Sequence, residues 1–156
     1  MSRTLVVLAA WLFVAAASTL FIEGQEASKP YPVFTDSHLE ATMKTVGPNF
    51  AGANGLLQNQ EHEDAKAQYK RTREQLATTI TFWRDRQRED AVGFLRNALR
   101  ALDELDDALS SGQIEQDSIS GIVGRIGSAC QACHGVYREE DPDTGEFRVK
   151  TSALSG

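Results

Sequence analysis

The chain has 156 residues, 41% of them hydrophobic and 24% charged, with a formal net charge of −6. That length holds one domain with a real core, and the composition excludes a wholly disordered chain or a fibre. The acidic balance argues against nucleic-acid binding, because neutralising phosphates takes clustered Lys and Arg; the nearest cluster, Lys70, Arg71 and Arg73, is followed by Glu74 and reads as a solvated helix face.

Near the N-terminus, Arg3 precedes an apolar run from Leu5 to Ile22, interrupted only by Ser18 and Thr19. Two readings stay open for residues 1–24. Ala15, Ala16 and Ala17 offer a signal-peptidase site, so the run reads as a secretory signal peptide. It is also just long enough to cross a bilayer core of about 30 Å as an uncleaved N-terminal membrane anchor, with Arg3 on the cytoplasmic side. Either way the rest of the chain is expected outside the cytoplasmic membrane, in the periplasm, and touches a membrane only if the run is retained. Residues 25–34, with Pro30 and Pro32, read as a linker or extended arm.

Residues 35–138 read as all-α, since no stretch alternates with period two. A first helix is expected to start at Thr35 or Asp36, either of which can cap it, and to bury Leu39, Met43, Val46 and Phe50. Pro48 removes one backbone hydrogen bond inside it, so a kink or local break is expected. A second helix is predicted from about Glu61 to Arg86, marked by Tyr69, Leu76, Ile80 and Trp83. A third runs from about Glu89 to Ser110, with Leu95, Ala98, Leu102, Leu105 and Leu109 as its stripe, and Gly112 follows its end. The fourth runs from about Asp117 to Arg138. Gly121, Gly124 and Gly127 each cost this helix about 1 kcal/mol relative to Ala, which suggests close approach of a neighbouring helix. Four amphipathic helices with short connections fold most simply as an antiparallel four-helix bundle. The tail, residues 139–156, carries the turn signal Asp141-Pro142-Asp143-Thr144-Gly145 and otherwise reads as partly disordered.

The chemistry lies in the last helix. Cys130, Cys133 and His134 form the C-x-x-C-H pattern of covalent haem attachment. Residues three and four apart share a helix face, so two thiols can reach the haem vinyl groups while the imidazole reaches the iron. A disulfide between the two cysteines competes, but its loop is short and strained and leaves His134 unexplained. A thioredoxin-like pair needs a βαβ context that is missing. A zinc site would have to recruit His38 or His62 and lacks the usual second pair of ligands. Both histidines read as surface residues. Met43 is the only methionine beyond Met1, so any thioether on the iron must be Met43; packing against the haem edge is the competing reading. Arg138, one turn past His134, either pairs with a haem propionate or faces solvent beside Glu139 and Glu140. Tyr137 is expected in the core or against the haem, and Trp83 in the core.

The run from Cys130 through Cys133, His134 and Tyr137 to Arg138 resembles the C-x-x-C-H, aromatic, basic sequence of the class II cytochromes c, the cytochrome c' family. Met43 followed by Lys44, with Gly47 four residues on, is similar to the distal segment of that family's low-spin members. The resemblance covers about residues 36–138, the middle helices matching in pattern alone; Pro48 and the long tail depart from it. It implies a four-helix bundle with one haem c near the C-terminal end of the last helix and iron ligated by His134 and Met43. It further implies an electron carrier, not an enzyme, that meets redox partner proteins and forms a homodimer through its first two helices. The alternative it carries is a high-spin, five-coordinate member that binds nitric oxide or carbon monoxide. A peroxidase would need a general acid or base on the distal side, and no His or carboxylate near Met43 on the same helix face is expected to serve.

Overall fold

The computed structural model describes residues 32–112 and 115–154. The 1–24 segment and most of the 25–34 linker lie outside the described residues. Among those described, no helix is long and apolar enough to cross a membrane.

Helix α1 spans Asp36–Gln58 and is capped by Thr35, whose hydroxyl accepts the His38 N–H at 3.2 Å. Pro48 lies inside α1 without breaking it. The break expected there does not occur because Pro48 and Lys44, whose carbonyl loses its helical donor, both sit on the exposed side, where water can satisfy that carbonyl.

The expected second helix is two helices, α2 at His62–Thr78 and α3 at Ile80–Asp85. Side-chain chemistry explains the interruption. Thr78 and Thr79 turn their hydroxyls onto the carbonyls of Gln75 and Leu76, at 2.6 and 2.7 Å, competing with the helical ladder. The Thr78 carbonyl is thereby free to accept the Val33 N–H at 3.0 Å, and Thr81 donates to the Val33 carbonyl at 2.8 Å. The end of the presumed linker is therefore docked on the bundle, with Val33 buried.

Helix α4 covers Glu89–Ser110 and buries Leu95, Ala98, Leu102, Leu105 and Leu109, the expected stripe. Helix α5 covers Gln116–Tyr137 and buries Ile119, Ile122, Ile126 and Tyr137. The glycine expectation fails. A Cβ built on Gly121, Gly124 or Gly127 meets nothing within 4 Å, so no neighbouring helix demands these glycines.

Specific contacts fix the directions of the helices. Asn49 pairs with Gln75 and Tyr69 with Asn54, so α1 and α2 run antiparallel. Arg73 with Asp103 and Lys66 with Ser110 do the same for α2 and α4, and Arg125 with Glu104 and Tyr137 with Asp90 for α4 and α5. The described residues thus form an all-α, four-helix arrangement whose second helix is interrupted at Thr79. Three seams of the bundle are packed: α1 on α2, α2 on α4 and α4 on α5. The seam that would close the ring, α1 on α5, has little direct packing.

The described part of the tail, residues 139–154, is ordered rather than loose. Arg138–Glu140 (β1) and Phe147–Val149 (β2) pair as an antiparallel hairpin, and a 3₁₀ turn follows at Thr151–Ala153. Asp141 builds the turn by accepting the N–H groups of Asp143 and Thr144, and Gly145 supplies the positive φ of 69°. Val149 is buried against the bundle, and the Lys150 N–H donates to the Tyr137 carbonyl at 2.8 Å.

Candidate functional site

The open α1–α5 seam is where the chemistry gathers. A cavity of about 560 Å³ lies there, within the roughly 300–1,000 Å³ of sites that enclose small ligands. Helix α5 contributes Cys130, Cys133 and His134 to one wall, and α1 contributes Met43 to the other. The floor is apolar, with Leu76, Trp83 and Leu95 among its residues, and the hairpin covers one side with Arg138 and Phe147. The cavity thus brings together Cys130, Cys133, His134, Met43 and Arg138. It does not include His38 or His62. His38 is exposed, as expected. His62 is half-buried rather than at the surface, and its Nδ1 has no partner.

Helical spacing explains the α5 wall. Ile119, Ile122 and Ile126 are buried in the core, and the same face continues as Cys130 and Cys133. These two are only half-buried because the neighbouring helix α1 is replaced by open cavity. Both are free thiols. Burial pushes the Cys130 thiol up, and it pushes Cys133 up to about 12, with Cys130 and the Asp90 carboxylate adding to the effect. Both are therefore protonated at neutral pH. His134 moves the other way, lowered first by burial and then by the charge of Arg138. Its neutral imidazole keeps a lone pair available to a metal.

The residues fit a haem on observations of the cavity itself. The lining is apolar around a small set of donor side chains. Gly47 on α1 and Gly127 on α5 both line the cavity, and a Cβ on either would meet nothing within 4 Å. The glycines leave space on the cavity side rather than serving a helix contact. Among the described residues, no three His, Cys, Asp or Glu side chains converge to hold a bare metal ion.

Aromatic packing braces the end of the bundle beside the cysteines. The Trp83 ring lies 4.7 Å from that of Tyr137 and 4.8 Å from Phe82. Tyr137 donates its hydroxyl to Asp90 at 2.7 Å. Trp83 is thus both core and cavity floor. The Arg138 guanidinium stacks 4.1 Å above the exposed Phe147 ring. No carboxylate among the described residues pairs with it, so its donors are open to an anionic group.

Glu40 was missed in the sequence. It lies three residues before Met43, on the same face of α1, and lines the cavity. The expectation that no carboxylate near Met43 would serve as a general acid or base overlooked it, although the helical spacing alone would have shown it. Its Oε1 is already engaged, accepting the Val149 N–H at 3.1 Å.

No family model, curated protein or solved structure matches this chain.

Proposed function

We propose that this chain is a periplasmic, mono-haem c-type cytochrome that carries electrons, a class II cytochrome c with a low-spin haem between His134 and Met43. One observation carries the reading. The C-x-x-C-H side chains and the only methionine beyond Met1 line the same cavity from its two helical walls.

A bound haem supplies a one-electron iron centre whose potential is raised by Met/His ligation. The chain's own residues do the rest. Cys130 and Cys133 would hold the group as thioethers, each S–H adding across one vinyl with its hydrogen going to the neighbouring carbon, so no oxidant would be consumed. His134, held neutral by burial, offers its lone pair to the iron. Met43 offers its thioether from α1, and Leu39, Val46 and Phe50 keep water away on that side. Arg138 presents free donors to a propionate. Glu40 is bonded to the Val149 N–H instead of standing free as a general acid, which favours a carrier over an enzyme.

The visible spectrum of the reduced protein, with and without carbon monoxide, tests the proposal. Sharp low-spin bands unchanged by carbon monoxide are expected. Rapid carbon monoxide binding would replace the carrier with the five-coordinate, gas-binding alternative. A protein purified from a host competent in cytochrome c maturation and yet lacking covalent haem would end both readings.

A further inference from the structure

Of the hairpin, the proposed function uses only Arg138 and the Val149 N–H. The hairpin bridges the two walls of the cavity across the seam that α1 and α5 leave open. On one side β1 follows directly from α5, so Arg138 starts four residues after His134. On the other side the hairpin reaches α1 at two points. The Val149 N–H donates to Glu40 Oε1 at 3.1 Å, and Lys44 Nζ pairs with Glu146 Oε2 at 3.3 Å. Glu40 and Lys44 are one helical turn apart and flank Met43 on the same stretch of α1. The two tie points therefore lie on either side of Met43 along the helix.

We infer that the C-terminal hairpin is a clamp that holds the Met43 segment of α1 over the cavity, with Glu40 and Lys44 as positioning residues that set whether Met43 fills the sixth position on the iron. The inference rests on the haem reading above. Its physical basis is the weakness of the alternatives. Helix α1 gains little from α5 directly. A two-stranded hairpin is marginal alone and takes its position from what it is tied to. Its attachment to α5 is firm, through chain continuity and the Lys150–Tyr137 backbone bond. Its polar ties to α1 are Glu40 and Lys44, beside the packing of β2 on that helix. The Lys44–Glu146 pair is largely exposed and contributes little by itself. The Glu40 bond is partly buried and charge-assisted, and it is the stronger tie. With both ties cut, α1 can move away from the seam, and a small neutral ligand can compete with Met43.

The test uses the full-length holoprotein with the substitutions Glu40→Ala and Lys44→Ala together, and Glu40→Gln alone. Amide hydrogen exchange at Val149 reads the tie without reference to the haem. It should accelerate about tenfold in the double variant, the scale of one lost hydrogen bond, and much less in Glu40→Gln, whose amide carbonyl still accepts. Carbon monoxide, absent from the wild-type iron, should then bind the reduced double variant. The near-red charge-transfer band of thioether-ligated ferric haem should weaken in it, and Glu40→Gln should keep both wild-type signatures. Unchanged Val149 exchange in the double variant overturns the clamp. So does accelerated exchange with the wild-type band and no carbon monoxide binding, because α1 then holds Met43 without the hairpin. A wild-type protein without covalent haem overturns the underlying reading instead, and it is recognised before any variant is made.

Discussion

The two walls of the cavity are built to different standards of rigidity. The α5 wall carries two thiols and an imidazole within five residues, on a helix packed along α4 and continued into the hairpin. The α1 wall carries one thioether among aliphatic and aromatic side chains. That helix is held from behind by α2, through the buried Ala53 and Ala65 and the Tyr69–Asn54 bond, and from the front by the hairpin. The difference separates two properties that a haem protein could have fused. On the proposed reading, attachment would belong to α5, and the choice between carrying an electron and binding a gas would belong to α1.

Breaking the α5 wall should have the largest effect. Cys130→Ala combined with Cys133→Ala removes both groups able to form a thioether, so covalent haem should vanish completely from a haem-stained denaturing gel. Retained covalent haem in that variant would refute the assignment of the motif. Breaking the α1 wall should leave attachment intact. Met43→Ala should keep haem on the gel while the spectrum turns high-spin and the reduced protein binds carbon monoxide. An unchanged low-spin spectrum would exclude Met43 as the ligand. The two variants sharpen the contrast only if their phenotypes do not overlap, one losing the haem and the other only its sixth ligand.

The same contrast marks what the sequence made legible. The α5 wall could be read directly, because a helix places residues at fixed angles and Cys130, Cys133 and His134 fall on one face. The stripe of α4 was equally plain, its leucines recurring at helical spacing. The α1 wall was half-legible: Met43 stood out by elimination, whereas Glu40 was overlooked although it lies one turn away. What escaped entirely depended on tertiary partners. Lys44 and Glu146 are 102 residues apart, and nothing local joins them. The strands of the hairpin are three residues each, too short to show alternation, although the Asp141–Gly145 turn between them was recognised. The break at Thr79 was hidden because threonine hydroxyls can bond either solvent or backbone. Docking of Val33 onto the Thr78 carbonyl accompanies the choice made here. Pro48 misled in the opposite sense, since its cost is small on a face open to water.

A smaller effect is expected where the walls meet the core. Tyr137 ends α5, packs on Trp83, and donates its hydroxyl to Asp90 at the start of α4. Tyr137→Phe removes that bond while keeping the ring, and Asp90 is exposed enough for water to replace it. The expected cost is about 1 kcal/mol, read as a shift in the denaturant midpoint, with haem content and spin state unchanged. The pH dependence identifies the bond. The Asp90 carboxyl is held below its usual value first by the Tyr137 hydroxyl, so its contribution is present above the unfolded value near 3.9 and is lost as pH falls through the lower, folded value. Exposure of Asp90 to solvent keeps that acid limb shallow. The alkaline limb has the clearer sign. Burial, followed by the bond to Asp90, pushes the Tyr137 phenol up from 10.0 to about 12, so the folded protein keeps it neutral while the unfolded chain ionises. Its stabilisation is complete below pH 10 and declines as pH rises toward 12. Wild type should therefore lose stability across that interval relative to Tyr137→Phe, which has no phenol to ionise. Parallel stability curves through the alkaline range would mean that this buried hydroxyl does not tie α5 to α4, leaving the aromatic packing on Trp83 to hold the end of the motif helix.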